Sequence, residues 1–319
     1  MKIRYLILVI IFVLIKSAIA EGPLPDSLRL MYEYNPAESL DFRDTIIKDI
    51  DGVKLHDVSY ISPKGGRVTA YLVVPPGEGP FAGILFAHWG YGTRTEFLPE
   101  AIMYARAGVV SLLVDAPWVR PAPYRRVVPD LANPESDLDK YIQNVIDFRR
   151  GIDLFGQLGF VDTSRIVYIG HSYGAQWGAI LNAVDKRPKG VILMGGVPSL
   201  ADIWLKSNDP EMVDLRAGVP KGQLEKYIEV NGQFDAINYV PYGASPQFFQ
   251  FAQFERYYGE EAMNRLANAA CEPKDVKWYN TGHELNDIQA LKDRIAWLAS
   301  VLGIAPIIIQ VELPQSPQK

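Results

Sequence analysis

The pentapeptide Gly170-His171-Ser172-Tyr173-Gly174 sets a serine two residues from a glycine on either side. The run before it, Arg165–Ile169, is rich in β-branched and aromatic residues, and a helical pattern follows, so the serine falls on a sharp strand-to-helix turn. Larger side chains at the two glycines would collide with the neighbouring strand and helix. The turn lifts the hydroxyl above the sheet edge, where the first N–H groups of the helix and the positive end of its dipole favour an oxyanion. This is the arrangement of a nucleophilic serine, which needs a base and an acid to orient that base.

The base follows by elimination among four histidines. His56 lies in an opening hairpin, His88 ends an early strand and His171 is inside the turn itself. His283, in Thr281-Gly282-His283-Glu284, follows the last expected strand. A parallel sheet gathers its C-terminal strand ends on one rim, so His283 can reach Ser172 from the loop after its strand. The acid should follow another strand between the two in sequence. Glu255, four residues beyond Phe248-Phe249-Gln250-Phe251, fits best, with Asp202 and Asp235 as alternatives. An oxyanion hole is expected from the N–H groups of Tyr173 and Trp89, the latter in the glycine-bearing loop His88-Trp89-Gly90-Tyr91-Gly92. The side chain of His88 is read as structural, hydrogen-bonded to nearby loop backbone.

The elements that must position these residues alternate along the chain. Two β-prone stretches between Val53 and Val74 flank Pro63-Lys64-Gly65-Gly66 and predict an antiparallel hairpin. Apolar runs at Gly83–Ala87, Val109–Val114, Arg165–Ile169, Val191–Met194, Pro246–Phe251 and Val276–Tyr279 read as buried strands. Helical patterns fall between them, near Glu96–Arg106, Ser136–Phe155, after Tyr173, Glu260–Ala270 and Asn286–Leu302. The expected fold class is α/β: a mostly parallel central sheet with helices on both faces and an opening antiparallel hairpin.

These segments resemble the α/β-hydrolase superfamily over Asp51–Leu302. The loop from His88 to Gly92, Leu112-Leu113-Val114-Asp115-Ala116-Pro117-Trp118, the serine turn and Gly282-His283-Glu284-Leu285 are most similar to its dienelactone-hydrolase-like branch. Two departures matter. Dienelactone hydrolases carry cysteine where Ser172 stands, so the resemblance implies an ordinary ester rather than a dienelactone. Their acid is usually aspartate in Gly-x-x-Asp, whereas this chain has Ala252-Gln253-Phe254-Glu255. The implied reaction is carboxylic ester hydrolysis through an acyl-enzyme on Ser172. A prolyl-oligopeptidase-like peptidase and a non-catalytic binding protein on the same fold are the competing readings. The first normally carries a large N-terminal propeller, and the second would have lost a triad member.

Specificity is less legible. About fifty residues separate the Val191 and Pro246 strands, enough to cover part of the site. Trp204, Tyr227, Tyr239 and Tyr242 there, with Trp89, Trp118 and Tyr257, could line an apolar or sugar-stacking pocket or could be core; Trp118 and Tyr257 are the candidates for substrate contact. Arg120, Arg125 and Arg126 read as surface arginines or as ligands of a substrate carboxylate. No cofactor or metal is expected, because no strand is followed by Gly-x-Gly-x-x-Gly and the histidines lack ligand spacing.

Composition narrows the rest. The 319 residues are 48% hydrophobic and 22% charged, which is ordinary for a folded domain. Thirty-two basic against 37 acidic residues argue against nucleic-acid binding. The single cysteine, Cys271, excludes an intramolecular disulfide. Lys2 and Arg4 precede the apolar run Tyr5–Ile15, and Ser17-Ala18-Ile19-Ala20 follows it, a secretory signal pattern with cleavage expected after Ala20. An uncleaved anchor is the alternative, but eleven residues of helix span only about 16 Å, half of a bilayer core. Cleavage removes Lys2, Arg4 and Lys16 and no acid, leaving 29 basic against 37 acidic residues, net −8. The expected organisation is a signal peptide over 1–20, a lead over 21–50, a catalytic domain over 51–303 and a tail over 304–319, secreted or periplasmic, without stable membrane insertion and acting on a small-molecule ester.

Overall fold

The computed structural model describes residues 22–121, 129–220 and 222–308. The expected signal segment, Arg125, Arg126 and the end of the tail lie outside the described residues. Among these residues nine strands form one sheet: β1 (Arg43–Ile50), β2 (Val53–Ile61), β3 (Arg67–Val74), β4 (Phe81–Ala87), β5 (Val109–Val114), β6 (Val161–His171), β7 (Val191–Met194), β8 (Gln247–Phe254) and β9 (Lys274–Gly282). Their order is β1-β2-β3-β5-β4-β6-β7-β8-β9. The first three strands pair antiparallel and β3 joins β5 antiparallel, while every pairing from β5 to β9 is parallel. An antiparallel edge on an otherwise parallel sheet is the expected architecture.

Burial explains which strands were legible. All six residues of β5 and all four of β7 are buried, so they read as continuous apolar runs. β1 is the opposite case. Seven of its eight residues are exposed, it carries a bulge between Ile46 and Lys48, and its sequence offers no alternation to read. It therefore falls within the stretch expected to be a lead, yet it extends the sheet by pairing with β2. Upstream of β1, past the short helix α1 (Asp26–Arg29), Tyr32 is fully buried, and the guanidinium of Arg150 donates to the carbonyls of Pro36 and Glu38.

Helices cover both faces. On one, α2 (Leu98–Arg106) contributes Tyr104 and α9 (Ile288–Leu302) contributes Leu298 to an apolar layer with Ile84, Val167 and Ile192. On the other, α3 (Pro134–Gln157), α4 (Tyr173–Val184) and α8 (Glu260–Ala269) pack Val145, Ile180 and Leu266 against the sheet. Local chemistry sets their limits. α3 opens with Pro134 at its first position and Glu135 and Asp137 in its first turn. Asp287 caps α9 by accepting from the N–H groups of Gln289 and Ala290, and Gly303 ends it with φ +62°. The long connection between β7 and β8 folds as α5 (Leu200–Trp204), α6 (Pro210–Gly218) and α7 (Gln223–Asn231). Among the described residues, no helix is long and apolar enough to cross a membrane.

The chain runs from β4 outward to β5 and then returns across β4 to β6, so the direction of winding reverses between β4 and β6. Loops after those two strands diverge there and leave a crevice at the C-terminal rim.

Candidate active site

Ser172 stands at that crevice, between β6 and α4, with φ +56° and ψ −115°. A non-glycine residue at this φ is strained, and its neighbours hold it there. The Ser172 N–H donates to the Met194 carbonyl at the end of β7, 2.7 Å away. A Cβ on Gly170 would lie 2.2 Å from the Gly174 oxygen, and one on Gly174 would lie 2.3 Å from the Ala87 oxygen. Both glycines are therefore sterically required.

The β8–β9 register brings the other two residues together. Phe254 pairs with Gly282, so Glu255 and His283, one residue further on each strand, emerge side by side. Glu255 Oε2 accepts from His283 Nδ1 at 2.7 Å, its Oε1 accepts from the Tyr257 N–H at 3.0 Å, and His283 Nε2 lies 2.9 Å from Ser172 Oγ. A carboxylate only accepts, so the imidazole proton sits on Nδ1 and Nε2 is left to accept from the serine hydroxyl. The chain is dry: Ser172 is 6% exposed, His283 4% and the Glu255 side chain 1%. The rings of Tyr257 and Tyr258 stand edge-on to His283. The alternative acids are engaged elsewhere. Asp202 is held by Ser199, Lys206 and Arg265. Asp235 accepts from the Leu200 N–H, and burial pushes its carboxyl up to about 7.

One expectation needs correction. The Trp89 N–H, expected to donate into the oxyanion hole, donates instead to Glu96 Oε2 at 2.8 Å. Glu96 folds back from the turn before α2, and a carboxylate is a stronger acceptor than a neutral substrate carbonyl. The next amide, Gly90 N–H, has no partner among the described residues. Gly90 packs against the Tyr173 ring, where a Cβ would come within 3.0 Å, and its carbonyl accepts from Trp118 Nε1 at 3.0 Å. The Tyr173 N–H, in the first turn of α4, likewise has no partner among the described residues. His88 donates from Nδ1 to the Trp89 carbonyl and accepts at Nε2 from the Ala116 N–H, which fixes it as a neutral structural histidine. Burial lowers its pKa in agreement.

A cleft of about 630 Å³, solvent mouth included, opens beside Ser172. Trp89, Trp118, Trp204 and Tyr257 line it, as the aromatic pattern suggested, and Tyr91, Tyr141 and Tyr173 join them. Tyr227 and Tyr239 are instead fully buried in the core, and Tyr242 packs against that core. Ile203, Glu211 and Met212, from the β7–β8 connection, form the remaining wall, and Glu211 is the one carboxylate among the lining residues. Nothing local in the sequence marks them, because they reach the site only through the fold of α5 and α6. Arg120 is neither a surface residue nor free for a substrate: it is 7% exposed, pairs with Asp147 at 2.7 Å and donates to the Asp115 carbonyl. Among the described residues, no cluster of three or more His, Cys, Asp or Glu side chains could hold a metal ion.

No protein-family model matches this sequence, and no curated protein matches it. Solved structures do. An acetyl xylan esterase from Paenibacillus sp. R4 superposes with TM-score 0.71 at 18% identity, over 88% of this chain and 93% of that one. Acetyl xylan esterase 1 from Thermoanaerobacterium sp. JW/SL YS485 gives TM-score 0.69 at 16% identity, over 88% and 95%. A puromycin-hydrolysing peptidase from Mycobacterium tuberculosis gives TM-score 0.65 at 16% identity, over 82% of this chain but only 42% of that one. The fold is thus the α/β-hydrolase fold.

Proposed function

We propose that the chain is an exported serine hydrolase that cleaves carboxylic esters of small molecules. The observation that carries this reading is the hydrogen-bonded sequence Ser172–His283–Glu255 on a strained turn at the sheet's switch point. His283 Nε2 takes the hydroxyl proton as Ser172 Oγ attacks the ester carbonyl, and Glu255 stabilises the imidazolium that forms. The N–H groups of Tyr173 and Gly90 receive the oxyanion, in place of the Trp89 N–H, which Glu96 occupies. His283 then protonates the leaving alcohol, and water repeats the sequence on the acyl-enzyme to release the acid.

Two features favour an ester over a peptide. Two acetyl xylan esterases match along nearly their whole length, whereas the puromycin-hydrolysing peptidase is more than twice the length matched. The aromatic cleft offers rings and few polar groups, which suits an apolar acyl or alcohol portion. Ser172→Ala should lower turnover of p-nitrophenyl acetate by at least about 10⁴-fold; an unchanged rate would sink the scheme. A panel of acyl chains from acetyl to decanoyl, with acetylated sugars and an aminoacyl amide, separates the readings, because a profile peaking on the amide would replace esterase by peptidase. Export is tested by the intact mass of the secreted protein, expected to begin at Glu21.

A further inference from the structure

The nucleophile turn holds a second histidine that the reaction does not use. His171 ends β6, is 5% exposed, and its ring lies 5.1 Å from that of His283. Its Nδ1 bonds Glu96 Oε1 at 2.7 Å and its Nε2 bonds the backbone carbonyl of His283 at 2.9 Å. The other oxygen of Glu96 holds the Trp89 N–H. One carboxylate and one imidazole thereby connect three separate loops: the one bearing Trp89 and Gly90, the turn bearing Ser172 and the one bearing His283.

We propose that Glu96 and His171 are positioning residues that clamp the His283 loop to the oxyanion loop, and that the clamp closes only while His171 carries protons on both nitrogens. The argument is one of lone pairs. A carboxylate oxygen and a peptide carbonyl only accept, so both ring nitrogens must donate, and a neutral imidazole has a single N–H. His88 shows the contrast: it faces one acceptor and one donor and is satisfied while neutral. The ionisable groups facing His171 are Glu96 before α2, Glu255 at the end of β8 and His283 after β9, with neutral His88 beyond Glu96. Burial opposes the charge on His171, but the bond and charge of Glu96, the His283 carbonyl and the charge of Glu255 outweigh it and leave its pKa raised. When His171 does lose a proton, the carboxylate retains the one on Nδ1, and the bare Nε2 then faces the His283 carbonyl lone pairs. The tether to the general base is lost, and a displacement of about 1 Å at that base costs roughly 10²-fold in rate.

This inference rests on the serine-hydrolase reading, and its test includes a readout that needs no turnover. Nitrogen-15 NMR of histidine-labelled protein at pH 7 should show His171 doubly protonated. In Glu96→Gln, the amide oxygen keeps the Trp89 N–H and the amide N–H₂ faces Nδ1, so His171 should appear neutral with its proton on Nε2, still donating to His283. Glu96→Leu should lower kcat about 10- to 100-fold with KM within about threefold, and Glu96→Gln should recover most of that loss. The alkaline fall in wild-type kcat/KM should vanish in Glu96→Gln, whose Nε2–H does not titrate in the accessible range. A neutral His171 in the wild type, wild-type kcat in Glu96→Leu, or an unchanged alkaline limb in Glu96→Gln would overturn the proposal. Should Glu96→Leu fail to fold, the spectrum and the Glu96→Gln limb decide. A wild type that turns over no ester, with His171 doubly protonated, would overturn the hydrolase reading and leave the charge assignment standing.

Discussion

Glu255→Gln is the most discriminating single substitution, because the surrounding bonds dictate how the new amide must sit. Glu255 accepts from the Tyr257 N–H through Oε1 and from His283 Nδ1 through Oε2. In the glutamine variant the amide oxygen has to face the Tyr257 donor, which turns the amide N–H₂ toward His283. Nδ1 must then accept, and the only ring proton moves to Nε2, 2.9 Å from Ser172 Oγ. A base that already carries the proton on that nitrogen cannot take another from the serine. Such a tautomer error costs about 10⁴ in kcat, or roughly 5 kcal/mol of transition-state stabilisation. Initial rates with p-nitrophenyl acetate across a substrate range would separate kcat from KM, which should change little. Thermal unfolding should move by only a few degrees, because size and one hydrogen bond are retained. Glu255→Asp, one methylene too short to hold both partners, should fall between, at about 10²-fold. A Glu255→Gln enzyme within tenfold of wild type, or a larger loss in Asp202→Asn, would refute the assignment of the acid. The same amide chemistry is disabling here and rescuing at Glu96, because Nε2–H is the wrong tautomer for His283 and the right one for His171.

Other outcomes follow from single contacts. Gly174→Ala would drive a Cβ to 2.3 Å from the Ala87 carbonyl, a backbone atom within β4; the expected loss is about 3 kcal/mol or more, read from the urea midpoint. Asp235 has its carboxyl raised to about 7 from 3.8 by burial. The folded chain therefore binds this proton more tightly than the unfolded one, and stability is lost as pH rises from about 4 to 7. Asp235→Asn, which keeps an oxygen for the Leu200 N–H, should flatten that slope by up to roughly 3 kcal/mol between unfolding curves at pH 5 and pH 8. Trp118→Phe removes the bond to the Gly90 carbonyl; kcat should drop about fivefold to tenfold, as expected for one hydrogen bond orienting the oxyanion loop, and an unchanged kcat would exclude Trp118 from that role.

Much of the frame around Ser172 was readable because its signals are local. The buried strands announce themselves as apolar runs, and the glycines around Ser172 report a turn whose tightness the Gly170 and Gly174 contacts explain. His283 could be chosen because parallel strands must bring their ends to one rim. β1 escaped, since an exposed edge strand has no buried face to impose alternation. The donor in the Trp89 loop was misassigned for a different reason. Glu96 stands only seven residues away, yet nothing in a string of residues says that its carboxylate turns back onto Trp89.

What the amino-acid order determined by itself is therefore the alternation of strands and helices, the tight turn that presents Ser172, and the placing of His283 after the last strand. Tertiary structure alone decided which acid meets His283, since the choice among Glu255, Asp202 and Asp235 turns on the β8–β9 register and on the cations that hold Asp202. It alone decided which aromatics face the cleft and which fill the core, and that Arg120 is buried against Asp147. It also decided the charge of His171, which adjoins Ser172 in the chain yet takes its protonation from Glu96 and His283, far away in sequence. Propensity and periodicity act over a few residues, whereas hydrogen-bond partners and burial depend on contacts between distant segments.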